Sequence, residues 1–298
     1  MSTAYPLRNL DEKENIMPAN QACQGCAGSI VARIVSKVLG PNLVRQQVAC
    51  CGPAFMNIRT PTIYGEVFEG AGAMMTGLTR AFKHMGRDDI IVAGIIGDGG
   101  TVDIGFQGLS AAAERNENVI WIVYDNEAYM NTGGQRSSAT TKYARTTTTP
   151  IGVKSRGKKE NKKNVPLMMA LHNVPYVATA STSYPEDFIG KLLYAKGIKG
   201  FRYIHVSAPC PTGWAFNPND TIKVGREMVL GGLWPLYEVI DGDSFRLTYK
   251  PKELKPVREA MKMQGRFRHI NDDEIEEIQQ QVTSFWSRLT AKDGGSFF

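Results

Sequence analysis

Apolar positions along the chain fall into short continuous runs separated by segments whose apolar residues recur every three or four positions. The runs 43–49, 90–96, 119–124, 176–180 and 201–206 read as strands, and of these 90–96 and 119–124 are β-branched and nearly free of polar residues, as expected of parallel strands buried on both faces. Between them the spacing predicts helices over 29–38, 66–84, 102–115, 166–172 and 185–196. The last opens on Tyr184-Pro185-Glu186-Asp187, with proline in the first turn and acids at the positive helix end. Strands alternating with helices argue an α/β fold, a doubly wound, mostly parallel sheet with helices on both faces.

Two stretches depart from that rhythm. Residues 128–164 form a connection too long for a compact domain unless it is functional or disordered. Toward the C-terminus, Asp220 opens a helix running to Leu230. A Pro/Lys-rich entry at 251 then leads to a helix over 272–288, where Ile275, Ile278, Val282, Phe285 and Trp286 share one stripe that must dock on the domain or on a partner.

The chemistry concentrates where two strands end. The run closing at Ile96 stops at Gly97-Asp98-Gly99-Gly100, and the run closing at Tyr124 stops at Asp125-Asn126-Glu127-Ala128. Ligands bind at the carboxyl ends of strands in open α/β sheets, glycines let backbone approach an anion, and the following helix would turn free N–H groups toward it. With the strands side by side, Asp98, the Asn126 amide oxygen and a carbonyl near Ala128 come within reach of one ion. Hard oxygen donors of that kind, completed by a diphosphate, suit Mg²⁺. Gly-Asp-Gly alone also fits a ligand-free turn; the second tip shifts the balance. Within Tyr129–Gln135, Asn131 can donate to a carboxylate or an oxyanion, and equally can serve as a turn residue.

Of the 298 residues, 42% are hydrophobic and 21% charged, so the chain is an ordinary globular one. No apolar run approaches the roughly 20 residues that span a bilayer, and the N-terminus, MSTAYPLRNLDEKENI, lacks the apolar centre of a signal peptide, which predicts a cytoplasmic protein off the membrane. The five cysteines, 23, 26, 50, 51 and 210, are odd in number and argue against a disulfide framework. Cys23-Gln24-Gly25-Cys26 has the spacing of a two-thiolate metal clamp, with a redox dithiol or zinc as alternatives. Cys51 and Cys210 each follow a strand, at proline-marked corners suited to presenting a ligand.

The formal charge of +6 invites a nucleic-acid reading, yet no basic helix with interleaved aromatics is present. Six of the cations lie within 154–163, as Lys154, Arg156, Lys158, Lys159, Lys162 and Lys163. They read either as a solvated loop or as an anion-docking surface.

The Gly-Asp-Gly turn followed 27 residues after its second glycine by Asn126 resembles the diphosphate and magnesium motif of thiamine diphosphate (ThDP) enzymes, and YDNEAYMNTGGQRSSAT resembles the β subunits of pyruvate:ferredoxin oxidoreductases and their 2-oxoacid relatives. The likeness runs over about residues 21–268. It implies a ThDP diphosphate-binding domain with a cluster site over 1–250 and a C-terminal extension over 251–298. It further implies ThDP contacts at Gly97, Asp98, Gly99, Gly100, Asn126, Ala128 and Thr132, Mg²⁺ on Asp98, Asn126 and Ala128, a catalytic Asn131, and a 4Fe–4S cluster on Cys23, Cys26, Cys51 and Cys210. By alignment with that family Cys51 rather than Cys50 is the ligand.

The activity implied is oxidative decarboxylation of pyruvate with coenzyme A to acetyl-CoA and CO₂, reversibly, with electrons leaving singly for ferredoxin. The glutamate that activates the ThDP aminopyrimidine would come from an α subunit, with γ and δ subunits completing the complex; Glu66 and Glu69 are explained as acids opening a helix. Coenzyme A is the expected polyanion for the basic segment. Alternatives are another 2-oxoacid, such as oxalate or a branched-chain ketoacid, and a ThDP lyase or synthase with structural zinc. A non-catalytic electron-transfer or assembly subunit is opposed by the presence of Asp98 and Asn126.

Overall fold

The computed structural model describes residues 1–297 apart from 19, 56 and 66. The strands in chain order are β1 Leu43–Val48, β2 Thr62–Gly65, β3 Ile91–Gly97, β4 Val119–Asp125, β5 Ala128–Tyr129, β6 Gln135–Arg136, β7 Ile151–Gly152, β8 Ser155–Arg156, β9 Tyr176–Ser181, β10 Arg202–Ser207, β11 Tyr237–Ile240 and β12 Ser244–Leu247. The helices are α1 Ala27–Leu39, α2 Gly52–Phe55, α3 Ala71–His84, α4 Phe106–Glu114, α5 Val165–Ala170, α6 Pro185–Gly197, α7 Pro211–Trp214, α8 Thr221–Leu230, α9 Val257–Lys262 and α10 Asp272–Lys292.

Eight strands form one sheet in the order β12-β11-β9-β10-β4-β3-β1-β2. From β9 to β2 every neighbouring pair is parallel, and β11 and β12 extend the β9 edge as an antiparallel hairpin. All seven residues of β4 are buried, in keeping with a central strand covered on both faces. The chain moves across the sheet from β2 through β3 and β4 to β9, then turns back to insert β10. Right-handed crossovers require that reversal to change faces. Accordingly α3, α4 and α5 pack through Met75, Leu109 and Met169 on one side, and α6 packs with α1 through Leu192, Ile189 and Val35 on the other. The mostly parallel α/β sheet expected of the sequence is thus present.

The differences have local causes. Strand β2 is an edge strand with three of its four residues exposed, so it carries no buried run to recognise. The helix expected over 102–115 begins only at Phe106, because Gly99–Asp103 form a wider π-helical turn. The helix expected from 66 begins at Ala71 behind the 3₁₀ turn Phe68–Gly70; residue 66 lies outside the described residues. The long connection after Ala128 is ordered by two short hairpins, β5–β6 and β7–β8, and buries Ala139, Thr140, Ala144 and Lys158.

At the C-terminus a capping box between Asn271 and Glu274 starts α10. Its predicted stripe docks on the chain's own body: Ile275 and Ile278 meet Ala144 and Phe267, while Phe285 and Trp286 reach the sheet core. Among the described residues no helix is long and apolar enough to cross a membrane.

Candidate cofactor and metal site

Parallel strands end at one edge of the sheet, and four adjacent ones deliver the candidate chemistry there: β1 leads into Cys50-Cys51, β3 into Asp98, β4 into Asn126, and β10 into the turn holding Cys210. A cavity of about 130 Å³ at that edge is lined by Gly97, Asp98, Gly99, Gly100, Asn126, Ala128, Asn131 and Thr132. All the residues expected around the diphosphate therefore share one space.

Asp98 is 1% exposed and accepts a hydrogen bond from the Ser137 hydroxyl. Burial, reinforced by the negative charge of Asp125, pushes its carboxyl well above the usual carboxylate range. A cation at its oxygens would reverse that balance.

The Asn126 side chain presents an amide atom 3.0 Å from Asp98 Oδ1 and 2.8 Å from the Ala128 carbonyl oxygen. Assigned as nitrogen, that atom donates to both. Assigned as oxygen, it makes two oxygen–oxygen edges near the spacing of adjacent ligands in an octahedron with metal–oxygen distances of about 2.1 Å. The residues present thus fit a hard divalent cation.

Not every glycine is there for an anion. A Cβ on Gly99 would lie 2.3 Å from the Tyr129 ring, whose hydroxyl donates to the Gly99 carbonyl at 3.1 Å. The close approach at this position is between protein groups, and Tyr129 was not singled out by the sequence.

A second cavity, of about 270 Å³, is lined by Cys23, Cys26, Cys51 and Cys210. It shares Cys51, Tyr124, Asn126, Met130 and Asn131 with the first, so the two are separated by a single layer of side chains. Cys50 lines only the smaller cavity; its sulfur accepts from the Gly52 N–H at 3.2 Å. Gly25 closes the turn between Cys23 and Cys26 at φ +70°, pressed against Pro218. Burial, then the neighbouring sulfurs, pushes the Cys51 thiol up to about 12, and burial pushes Cys210 up to about 11. A metal centre would hold them as thiolates. All five cysteines are free, and no three His, Cys, Asp or Glu among the described residues converge closely enough to hold one metal ion. The thiols surround a space rather than a point.

The basic segment is not uniformly solvated: Lys154 and Lys159 are exposed, while others of its cations turn to partners in the chain. Lys158 is fully buried and donates to the Ser138, Thr140 and Asn161 carbonyls. Lys162 pairs with Glu127 at 3.1 Å and Asp125 at 3.3 Å, Lys163 with Asp103 at 3.5 Å, and Arg156 with Glu274 at 2.7 Å. Four of the six cations are thereby turned to internal partners, because the loop folds back over buried acids that sequence spacing could not reveal. These four therefore present less free charge to a polyanion such as coenzyme A than the sequence spacing suggests, and Lys154 and Lys159 remain exposed.

Glu127 and Arg266 were missed, as was the pairing of Lys162 with Asp125 and Glu127. Glu127 is 1% exposed, and although burial opposes its ionisation, Arg266 and Lys162 outweigh it and hold the carboxyl at about 2. An acid between Asn126 and Ala128 was the only available signal. Glu69, the other acid considered, is exposed. A larger cavity of about 600 Å³ beside α10, lined by Lys162, Lys163, His205, Trp234 and Phe285, contains none of the residues expected to hold ThDP, Mg²⁺ or the cluster, though two cations of the basic segment line it.

Residues 57–206 match the thiamine pyrophosphate enzyme C-terminal TPP-binding domain. Over 286 residues the chain is 48% identical to the pyruvate synthase subunit PorB of Methanothermobacter thermautotrophicus, covering 94% of this chain and 99% of that protein. It is 41% identical to the ketoisovalerate oxidoreductase subunit VorB of Pyrococcus abyssi, covering 93% of each. The solved 2-oxoglutarate:ferredoxin oxidoreductase of Magnetococcus marinus shares the fold at a TM-score of 0.61 and 20% identity, over 93% of this chain and 99% of that one.

Proposed function

Because the chain belongs to the β subunits of the 2-oxoacid:ferredoxin oxidoreductases, we propose that it is the subunit of a pyruvate synthase that holds the diphosphate end of ThDP and an adjoining 4Fe–4S cluster. One observation carries the reading: the oxygen donors Asp98, Asn126 and Ala128 line a cavity whose wall, through Cys51, is also the wall of the four-cysteine cavity. Asp98, Asn126 and the Ala128 carbonyl would hold Mg²⁺, and Cys23, Cys26, Cys51 and Cys210 the cluster. Bound there, ThDP supplies carbanion stabilisation after decarboxylation, and an iron–sulfur cluster accepts electrons singly.

The chain's own residues do the rest. Gly97 to Gly100 line the diphosphate cavity, Tyr124 and Met130 separate it from the thiols, and exposed Asn131, lining both cavities, stands where it can donate to a substrate carboxylate. Pyruvate is the substrate favoured by the 46–48% identity to pyruvate synthase subunits against 41% for ketoisovalerate enzymes. Residues 1–250 form the cofactor-binding unit and 251–298 its extension. The protein works in the cytoplasm with α, γ and δ subunits, of which α brings the glutamate for the aminopyrimidine, and with coenzyme A and ferredoxin as reaction partners.

The test is iron, sulfide, magnesium and ThDP analysis of the anaerobically purified complex, with coenzyme A-dependent reduction of ferredoxin measured on pyruvate, 2-oxoisovalerate and 2-oxoglutarate. Expected are four irons per β subunit beyond those of the other subunits, one ThDP, and the highest kcat/KM on pyruvate. Zinc in place of iron, or a preference for 2-oxoisovalerate, would overturn the corresponding part.

A further inference from the structure

The tip that carries Asn126 and Ala128 is held by a buried acid whose side chain turns to Lys162 and Arg266. Glu127 lies between Asn126 and Ala128 with φ at +62°, a left-handed conformation that side-chain-bearing residues rarely adopt. Its carboxylate is gripped from distant parts of the chain. Thr141 donates to Oε2 through its N–H at 3.0 Å and its hydroxyl at 2.8 Å, Arg266 reaches the same oxygen at 2.8 Å, and Lys162 reaches Oε1 at 3.1 Å.

The flanking groups are tied into the same frame. Lys162 also pairs with Asp125, whose Oδ1 accepts from the Glu127 N–H at 2.8 Å and whose Oδ2 meets His205 Nε2 at 3.0 Å. Arg266 lies 4.0 Å over the Trp214 ring, and Trp214 donates its indole N–H to the Asn126 carbonyl at 2.8 Å. The Thr140 hydroxyl donates to the Glu127 carbonyl.

Stability alone is a weak reason for such a cluster, since a buried ion-pair network is often no more stabilising than apolar residues of the same volume. Its geometric effect is specific. With the side chain of residue 127 drawn inward and its backbone turned left-handed, the Asn126 amide and the Ala128 carbonyl come to the same side, 2.8 Å apart.

We propose that Glu127 is a positioning residue for the divalent cation, and that Lys162 of the basic segment and Arg266 of the C-terminal region act through it to aim the Asn126 and Ala128 oxygens. This rests on the diphosphate–metal reading of the cavity. Groups that orient metal ligands typically change metal affinity by about 10- to 100-fold when removed.

The experiment uses the anaerobic complex freed of Mg²⁺ and ThDP, with bound ThDP followed by equilibrium dialysis as Mg²⁺ is titrated at fixed ThDP. Wild-type protein that retains ThDP without regard to Mg²⁺ would remove the premise and the proposal with it. With the premise standing, Glu127→Gln and Arg266→Met are expected to raise the Mg²⁺ midpoint about tenfold or more while iron content stays at the wild-type level. A midpoint within twofold of wild type in either assembled variant, even with a lowered melting temperature, reduces Glu127 to a structural acid. Should either variant fail to assemble, Thr141→Val removes only the hydroxyl donor; a Mg²⁺ midpoint raised in the same direction supports the proposal, and an unchanged one overturns it.

Discussion

The backbone N–H of Gly52 donates to the Tyr124 hydroxyl at 3.2 Å, in a fully buried contact. The corner carrying Cys51 is thereby fixed to the strand that leads into Asn126, and the two cavities are kept in register. The Gly52 N–H also reaches the Cys50 sulfur, so Tyr124→Phe removes one of two acceptors. The expected cost is about 1 kcal/mol, read as a lower denaturant midpoint for loss of iron absorbance from the complex. An unaltered midpoint would show that the corner is held without this contact.

Asp98→Ala removes the only acidic donor of the oxygen cluster and leaves the thiol-lined cavity untouched, since Asp98 lines the first cavity alone. ThDP and magnesium should fall to background in the purified complex, with iron per β subunit unchanged. Retained ThDP would take Asp98 out of the site.

Cys51 and Cys50 are neighbours with different surroundings. Cys51→Ala should lose iron, as should alanine at Cys23, Cys26 or Cys210, whereas Cys50→Ala should keep it, because of the two neighbours only Cys51 lines the cavity shared with the other three cysteines. Iron lost from Cys50→Ala and kept by Cys51→Ala would reverse the assignment.

Within the basic segment the two outward lysines and the buried one should separate. Replacing Lys154 and Lys159 together by glutamine should leave the KM for coenzyme A unchanged even at low salt, where surface attraction is strongest. Lys158→Met leaves the buried Thr140 carbonyl without this donor, removes the part-buried contacts to the Ser138 and Asn161 carbonyls, and should cost about 1–3 kcal/mol. A raised coenzyme A KM in the first variant would restore a docking role to the surface.

The clasp between α10 and the long connection depends on two carboxyls, Glu274 and Glu277. Arg156 hydrogen-bonds Glu274 and holds it below the usual carboxylate range; Lys142, then Tyr143, does the same to Glu277. A carboxyl lowered in the folded state contributes stability that is complete above its ordinary value and drains as pH falls through the lowered one. Pulsed hydrogen exchange after incubation from pH 6 down to pH 3 should therefore show α10 loosening at the acid end. Protection of α10 that stays level over that range would mean the helix is held by its apolar stripe alone.

The inner strands were legible because burial on both faces leaves an unbroken aliphatic run, as in β3 and β4. Asp98, Asn126 and the cysteines were legible because strand ends carry function in such sheets and those side chains have few other uses there. What stayed hidden depends on contacts between residues far apart in the chain. Lys162 reads as one more surface lysine until the connection folds back on Asp125 and Glu127, and Arg266 lies 139 positions from the carboxylate it grips. The edge strand β2 was missed for the opposite reason, having too little burial to leave a pattern.

The thiols facing one cavity come from residues 23, 26, 51 and 210, nearly the two ends of the sheet's chain order. Thr221 at the start of α8 fastens the turn of the first pair by donating its hydroxyl to the Gly25 carbonyl at 2.8 Å. No nascent or half-folded chain can therefore assemble the full set. A metal centre held by these four thiols would therefore be inserted only after the sheet has closed. Seated there, such a centre would bridge the N-terminal segment and the far side of the domain, and its oxidative loss would release both.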